Sequence, residues 1–231
     1  MEYHQDQRLR CEKAEVSLEQ IQLIESLLIL FLEAVVRFTN NSPTNSSVHV
    51  HGQYNRAPFD GWADDYANPN QYKDYYYPNA QNARSIWYHD HTARQTGENV
   101  YMGLYGFYLL TDEEEQALGL PAGDYDIPLA LSAKQYAADG SLFFDTHNNT
   151  GLWGDVIHVN GQPWPYMNVE PRKYRFRILD GSVSRSYDLY LQDDETEEAL
   201  SFDMIASDGG TFASFRFEVS LTICQDCSPI Q

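Results

Sequence analysis

At 231 residues the chain is long enough for one or two domains with a buried core. Hydrophobic residues make up 42% and aromatics 14%, with 17 tyrosines, which excludes a disordered chain and leans toward β structure. The net charge of −19 and an isoelectric point near 4.5 exclude nucleic acid and anionic membrane surfaces as partners; they attract cations, although solubility is the simpler account of the charge.

Residues 1–33 read as a charged start followed by one helix. Ser17-Leu18-Glu19-Gln20 has the shape of a capping box, and Leu18, Ile21, Ile24, Leu28 and Phe31 recur at helical spacing. From Ala34 the pattern becomes β. Val35 to Phe38 is a strand, ended by turn chemistry from Thr39 to Pro43. Ser47 to His51 alternates and closes on Gly52, Ser85 to His91 is another strand, and Tyr101 to Leu110 suits a buried one. An acidic stretch from Asp112 to Gly123 reads as a solvated connection. Further strands are expected over Ile127 to Leu131, Asp155 to Val159, Tyr174 to Leu179 and Tyr187 to Leu191, with a hairpin turn at Asn160-Gly161 and an acidic loop from Gln192 to Glu198. Short strands with frequent turns point to a sandwich or barrel.

The three cysteines, Cys11, Cys224 and Cys227, are no disulfide framework, and the Cys-X-X-Cys spacing of the last two, with no βαβ pattern around it, reads as incidental. The longest apolar run, Leu27 to Leu32, is too short to span a bilayer, and Glu19, Glu25 and Glu33 around it argue against a signal peptide. Sequons stand at Asn40, Asn45 and Asn148 and are usable only in a secreted protein.

Four of the seven histidines fall in two pairs, His49/His51 and His89/His91. In a strand, residues i and i+2 share a face, about 6–7 Å apart at their α-carbons, so each pair can reach one metal or two neighbouring ones. Two such strands side by side would converge four imidazoles on one small volume. Imidazole suits copper, zinc, nickel and iron, so donor type alone leaves the metal open. A cupin would want a Glu soon after its His-X-His, where Asn55 and Arg56 stand, and a metallo-β-lactamase would want a longer run than His89-Asp90-His91-Thr92.

At these residues the chain resembles the multicopper oxidases, most closely the bilirubin oxidase and spore-coat laccase branch. The stretches that carry the resemblance are Val48-His49-Val50-His51-Gly52, Ala57-Pro58-Phe59-Asp60-Gly61-Trp62, Lys73 to Asn79 and Trp87-Tyr88-His89-Asp90-His91, then Gly154 to Pro165 and Val169 to Arg177. It covers about Ala34 to Thr211, with the motifs in the family's order. It implies an all-β chain of cupredoxin-like (plastocyanin-like) Greek-key β-sandwich domains plus the N-terminal helix. The implied division is an extension over 1–33, an incomplete first domain over 34–112, a linker over 113–123, a partial second domain over 124–213 and an unmatched tail over 214–231. By the same resemblance His49 would bind type 2 copper, and His51, His89 and His91 the type 3 pair. Asp60 matches an acid that helps deliver protons to oxygen; the plainer reading is a turn residue before Gly61.

The family's third domain supplies the remaining cluster ligands and the type 1 site, a Cys flanked by histidines. None of the three cysteines here neighbours a histidine. The resemblance therefore implies a copper-binding oxidoreductase of laccase or bilirubin oxidase type, with molecular oxygen and a reducing organic substrate as partners of the full-length family and an extracellular location. This chain is expected to be a truncated form holding a type 2 and type 3 half-site without type 1 copper, inactive alone. The alternatives are a non-catalytic copper-binding β-sandwich protein and the product of a defective gene model.

Overall fold

The computed structural model describes residues 13–17, 33–144, 152–193, 196–207, 209–211 and 219–220. The helix expected over Leu18 to Phe31, all three cysteines, His4 and His147 lie outside them. The architecture of the described residues is all-β with short helical turns. Strands β1 (Lys13–Ser17), β2 (Ala34–Thr39) and β4 (Tyr72–Tyr77) form one sheet in the order β1-β2-β4. Strands β3 (Val48–His51), β5 (Arg84–Asp90) and β6 (Tyr105–Leu110) form a second, in the order β3-β5-β6 with both pairings antiparallel. The short helix α1 (Thr96–Tyr101) joins β5 to β6.

The two sheets face each other across one core because each strand buries every second residue. Ala34, Val36 and Phe38 point inward from β2, Val48 and Val50 from β3, Ile86 and Tyr88 from β5, and Tyr108 and Leu110 from β6. Tyr75 and Tyr77 fill the middle from β4, and Tyr75 meets Phe38 edge-on at 5.5 Å between ring centroids. Each such side chain contributes about 1.5–3 kcal/mol on burial, so the aromatic residues carry most of this core. Their hydroxyls need partners: Tyr75 Oη accepts from the Val48 amide (3.0 Å), and Tyr108 Oη donates to Asn79 Oδ1 (2.7 Å).

The same alternation turns His49, His51, Trp87, Phe107 and Leu109 to the opposite face of the second sheet. There Phe107 and Leu109 pack with Ala130, Tyr105 and Leu179 into a second apolar cluster. It joins a four-stranded sheet, β10-β7-β8-β9, built from β7 (Asp126–Lys134), β8 (Val156–Val159), β9 (Gln162–Pro163) and β10 (Arg175–Asp180). The expected turn at Asn160-Gly161 is present, both residues having positive φ (53° and 79°), the geometry a two-residue hairpin demands.

The acidic stretch after Asp112 is largely exposed, as a solvated connection should be, and is not wholly irregular. It forms helix α2 (Glu113–Ala117), whose N-terminus is capped by Asp112 Oδ1 accepting from the Glu115 amide at 2.7 Å. Glu115 and Asp126 hold Arg175 and Arg177. The Arg177 guanidinium, 4% exposed, donates to both Asp126 oxygens (2.8 and 2.7 Å) and to Ser85 Oγ on β5 (2.5 Å). The strand expected over Tyr187 to Leu191 is reduced to Leu191–Gln192; Tyr187 instead bonds the Ser182 hydroxyl at 2.7 Å. Of the sequons, Asn40 is 1% exposed and its amide donates to the carbonyls of Thr44 and Ala67, which withdraws it as an acceptor in the folded chain. No helix among the described residues is long and apolar enough to cross a membrane.

Candidate metal centre

The two His-X-His pairs leave adjacent strands. In the β3–β5 register His49 lies directly across from His89, and His51 across from Trp87. His91 follows the end of β5, and its amide donates to the Ser47 carbonyl at 2.8 Å. Ring centroids of His49 lie 5.8 Å from His51, 5.4 Å from His89 and 5.3 Å from His91, and His89 is 5.8 Å from His91. One ligating nitrogen from each of His49, His51 and His89 falls within 4.8 Å of the others, a group able to hold a metal ion. His91 borders this group without joining it at that separation.

Two of the rings have their proton placed by backbone oxygen. His49 Nδ1 is 2.7 Å from the Asp60 carbonyl, and His89 Nδ1 is 2.8 Å from the Asp90 carbonyl. A carbonyl can only accept, so Nδ1 carries the hydrogen and the Nε2 lone pair of the neutral ring is left free for a metal. Burial holds the His89 pKa below its ordinary value, opposed by the bond to Asp90 and reinforced by the His49, His91 and His51 charges. His89 is 8% exposed, His49 is half-buried, and His51 and His91 are open to solvent. The site is therefore a wall with one open side.

Asp60 stands at the end of a 3₁₀ turn over Ala57–Phe59. Besides its carbonyl contact, its Oδ1 lies 3.3 Å from His49 Nδ1, and its carboxylate is 43% exposed. The carboxylate thus touches both a candidate ligand and water.

Trp87, read from its aromatic type as packing beneath the ligand strand together with Tyr88, lies on the imidazole side instead. Its ring is 4.3 Å from His89 and stacks on His51 at 5.5 Å, on the imidazole face. Strand parity with His89 was the signal for this. The close approach of Gly61 and the buried carboxylate of Asp90 have no comparable signal in the sequence. His158 sits on β8, away from the other imidazoles, with its Nε2 2.8 Å from the Tyr136 hydroxyl.

A β-sandwich that gathers three imidazoles on one sheet face offers a group able to hold a metal ion, and imidazole donors suit copper among other metals. A sequence model described as multicopper oxidase matches residues 32–115. Bilirubin oxidase of Albifimbria verrucaria is 56% identical over 182 residues, covering 78% of this chain and 32% of that protein. The laccase of Bacillus subtilis strain 168 is 37% identical over 183 residues, covering 71% of this chain and 35% of its own. The crystal structure of a multicopper oxidase from the hyperthermophile Aquifex aeolicus aligns with a TM-score of 0.73 at 34% identity, over 80% of this chain and 41% of that one. The chain belongs to the multicopper oxidase family, a family of copper oxidoreductases. It spans about a third of the length of the curated relatives it matches.

Proposed function

We propose that His49, His51, His89 and His91 are half of a copper cluster, with His49 on the type 2 ion and the other three on the type 3 pair. The observation that carries this reading is the convergence of three ligating nitrogens within 4.8 Å, two of the rings having Nδ1 already committed to backbone carbonyls. Copper, when bound, would supply the one-electron chemistry by which molecular oxygen is reduced to water at the expense of an organic reductant. Around it, backbone carbonyls orient the His49 and His89 rings, and burial lowers the His89 pKa. Asp60, in contact with His49 and with water, is suited to pass protons toward the site, since oxygen reduction consumes them.

The open side at His51 and His91 is where a further cupredoxin-like domain would add the remaining ligands, and the type 1 copper that admits electrons would come from there too. In this reading residues 34–112 form the first domain, 113–123 the connector and 124–213 part of the second, of a protein that works outside the cell. In support, among the described residues every sheet closes on one side or the other of residues 113–123.

The test is a Cu(II) titration of the full chain against a variant carrying His89→Ala and His91→Ala. The parent should bind copper with nitrogen hyperfine structure in its electron paramagnetic resonance (EPR) spectrum, and the variant should lose at least about tenfold in affinity. Equal affinity would show that the pairs share no site.

A further inference from the structure

Asp90 lies between His89 and His91, but its side chain turns the other way. Strand parity places it on the core face with Ile86 and Tyr88, and it is 2% exposed. Its carboxylate takes four hydrogen bonds. Oδ2 accepts from Ser46 Oγ (2.9 Å), the Ser47 amide (3.2 Å) and Thr92 Oγ1 (3.1 Å), and Oδ1 accepts from the Thr92 amide (2.9 Å). The four donors are two hydroxyls and two amides, and none carries a charge. Burying a carboxylate is unfavourable unless hydrogen bonds replace its water, and here those bonds tie three particular residues together.

Those residues occupy the ends of the two ligand strands. Ser46 and Ser47 immediately precede β3, and Thr92 follows His91. Strand ends open more readily than strand centres. His91 lies outside β5 altogether, so β5 pairing does not hold it; the Ser47 carbonyl on one side and the anchored Thr92 on the other do. Ser47 Oγ also donates to the Trp62 carbonyl at 3.1 Å, which brings the Asp60-Gly61 turn into the same network. The Asp90 carbonyl meanwhile takes the His89 proton at 2.8 Å. One residue thus touches the supports of both pairs, and a metal site tolerates only about 0.5 Å of looseness in its ligands.

We infer that Asp90 is a positioning residue for the metal centre: by bonding Ser46, Ser47 and Thr92 from the core side, it fixes where the two His-X-His pairs leave their strands. This rests on the reading that the pairs share copper. It separates a geometric role from a merely stabilising one, because a stabilising residue would lower the thermal midpoint and leave the affinity of the folded chain unchanged.

The experiment titrates the full chain with copper(II) sulfate, reading affinity and the EPR hyperfine pattern, with thermal midpoints measured alongside. Asp90→Ala should lower affinity by roughly ten- to a hundredfold and alter the hyperfine pattern while the chain is still folded at the titration temperature. Asp90→Asn should fall between the two, since its amide oxygen can still accept from Thr92 but its NH₂ cannot accept from the Ser47 amide. If Asp90→Ala does not fold, Ser46→Ala carries the test, with an expected loss of about threefold from one of four bonds. A folded Asp90 variant, or Ser46→Ala, that binds copper like the parent with an unchanged spectrum would overturn the inference, provided His89→Ala/His91→Ala loses binding. A parent that binds no copper would overturn the copper reading itself, and this inference with it.

Discussion

A β-carbon on Gly61 would fall 2.3 Å from the carbonyl oxygen of Val48 and 2.7 Å from the amide nitrogen of His49. The turn that carries Asp60 therefore lies directly against the backbone of the first ligand strand, closer than any other residue permits. Gly61 also has φ of +73°, a conformation that disfavours side chains. The contact is what lets the Asp60 carbonyl reach His49 Nδ1.

Gly61→Ala should consequently act at two levels. Strain and backbone displacement should cost roughly 1–3 kcal/mol of stability. The retreating turn should also release His49 Nδ1, so copper affinity should fall in protein that remains folded. Urea unfolding together with a copper titration checks both; wild-type values in each would mean that the turn is free to move without consequence.

Tyr88→Phe should leave stability unchanged or slightly raised. The Tyr88 hydroxyl is buried and has no hydrogen-bond partner among the described residues, and burial pushes its pKa up. Removing an unsatisfied buried polar group recovers its desolvation cost, about 1–3 kcal/mol at most, while the ring keeps its packing. A clear drop in the urea midpoint would reveal a partner for this hydroxyl.

Much of this site was legible because strand parity is strict. The spacing of His49 with His51 and of His89 with His91 placed each pair on one face, and the valines between and before the first pair identified the other face as core. Trp87 obeys the same parity, which puts it among the imidazoles, although a tryptophan there reads first as packing beneath the strand. What parity cannot supply is which strand lies beside which. That His49 opposes His89 depends on the β3–β5 register, fixed by contacts forty residues apart in sequence. The Asp90 clamp is hidden for the same reason: nothing in Ser46 or Thr92 as residue types announces a shared carboxylate. Of the strand expected over Tyr187 to Leu191 only Leu191–Gln192 forms, with the Tyr187 side chain bonded to Ser182.

Arg177→Met should be strongly destabilising. The guanidinium is buried with Asp126, Glu115 and Ser85, linking β10, β7, α2 and β5. Removing it breaks the two-oxygen pair with Asp126 and leaves that largely buried carboxylate with Arg175 alone, at 3.6 Å; losing a buried partner typically costs about 3–5 kcal/mol, and Arg175 holds the loss near the lower end. The prediction is a drop of that size in urea unfolding, with partial recovery when Asp126→Asn is added to the same chain. No recovery in the double variant would mean the loss came from packing of the long side chain instead.

Lys134 supplies the pH dependence. Its Nζ is buried, donates to the Tyr101 carbonyl and lies 4.5 Å from the centre of the Tyr101 ring. Burial lowers its pKa from 10.5 to about 8. Between these values the unfolded chain keeps a proton that the folded chain has released, so unfolding takes up a proton and stability rises with pH across that interval. The slope is bounded by about 1.4 kcal/mol per pH unit for one group. The tyrosines act with the opposite sign: burial raises Tyr77, Tyr101 and Tyr105, the unfolded chain loses those protons first, and stability falls above about pH 10. The rise is therefore confined to roughly pH 8 to 9.5. Denaturant midpoints across that range should climb for the parent and stay level for Lys134→Met, which keeps the length of the side chain and removes its proton. A parent whose midpoint is flat or falling from pH 8 would show that Lys134 keeps its charge in the folded chain.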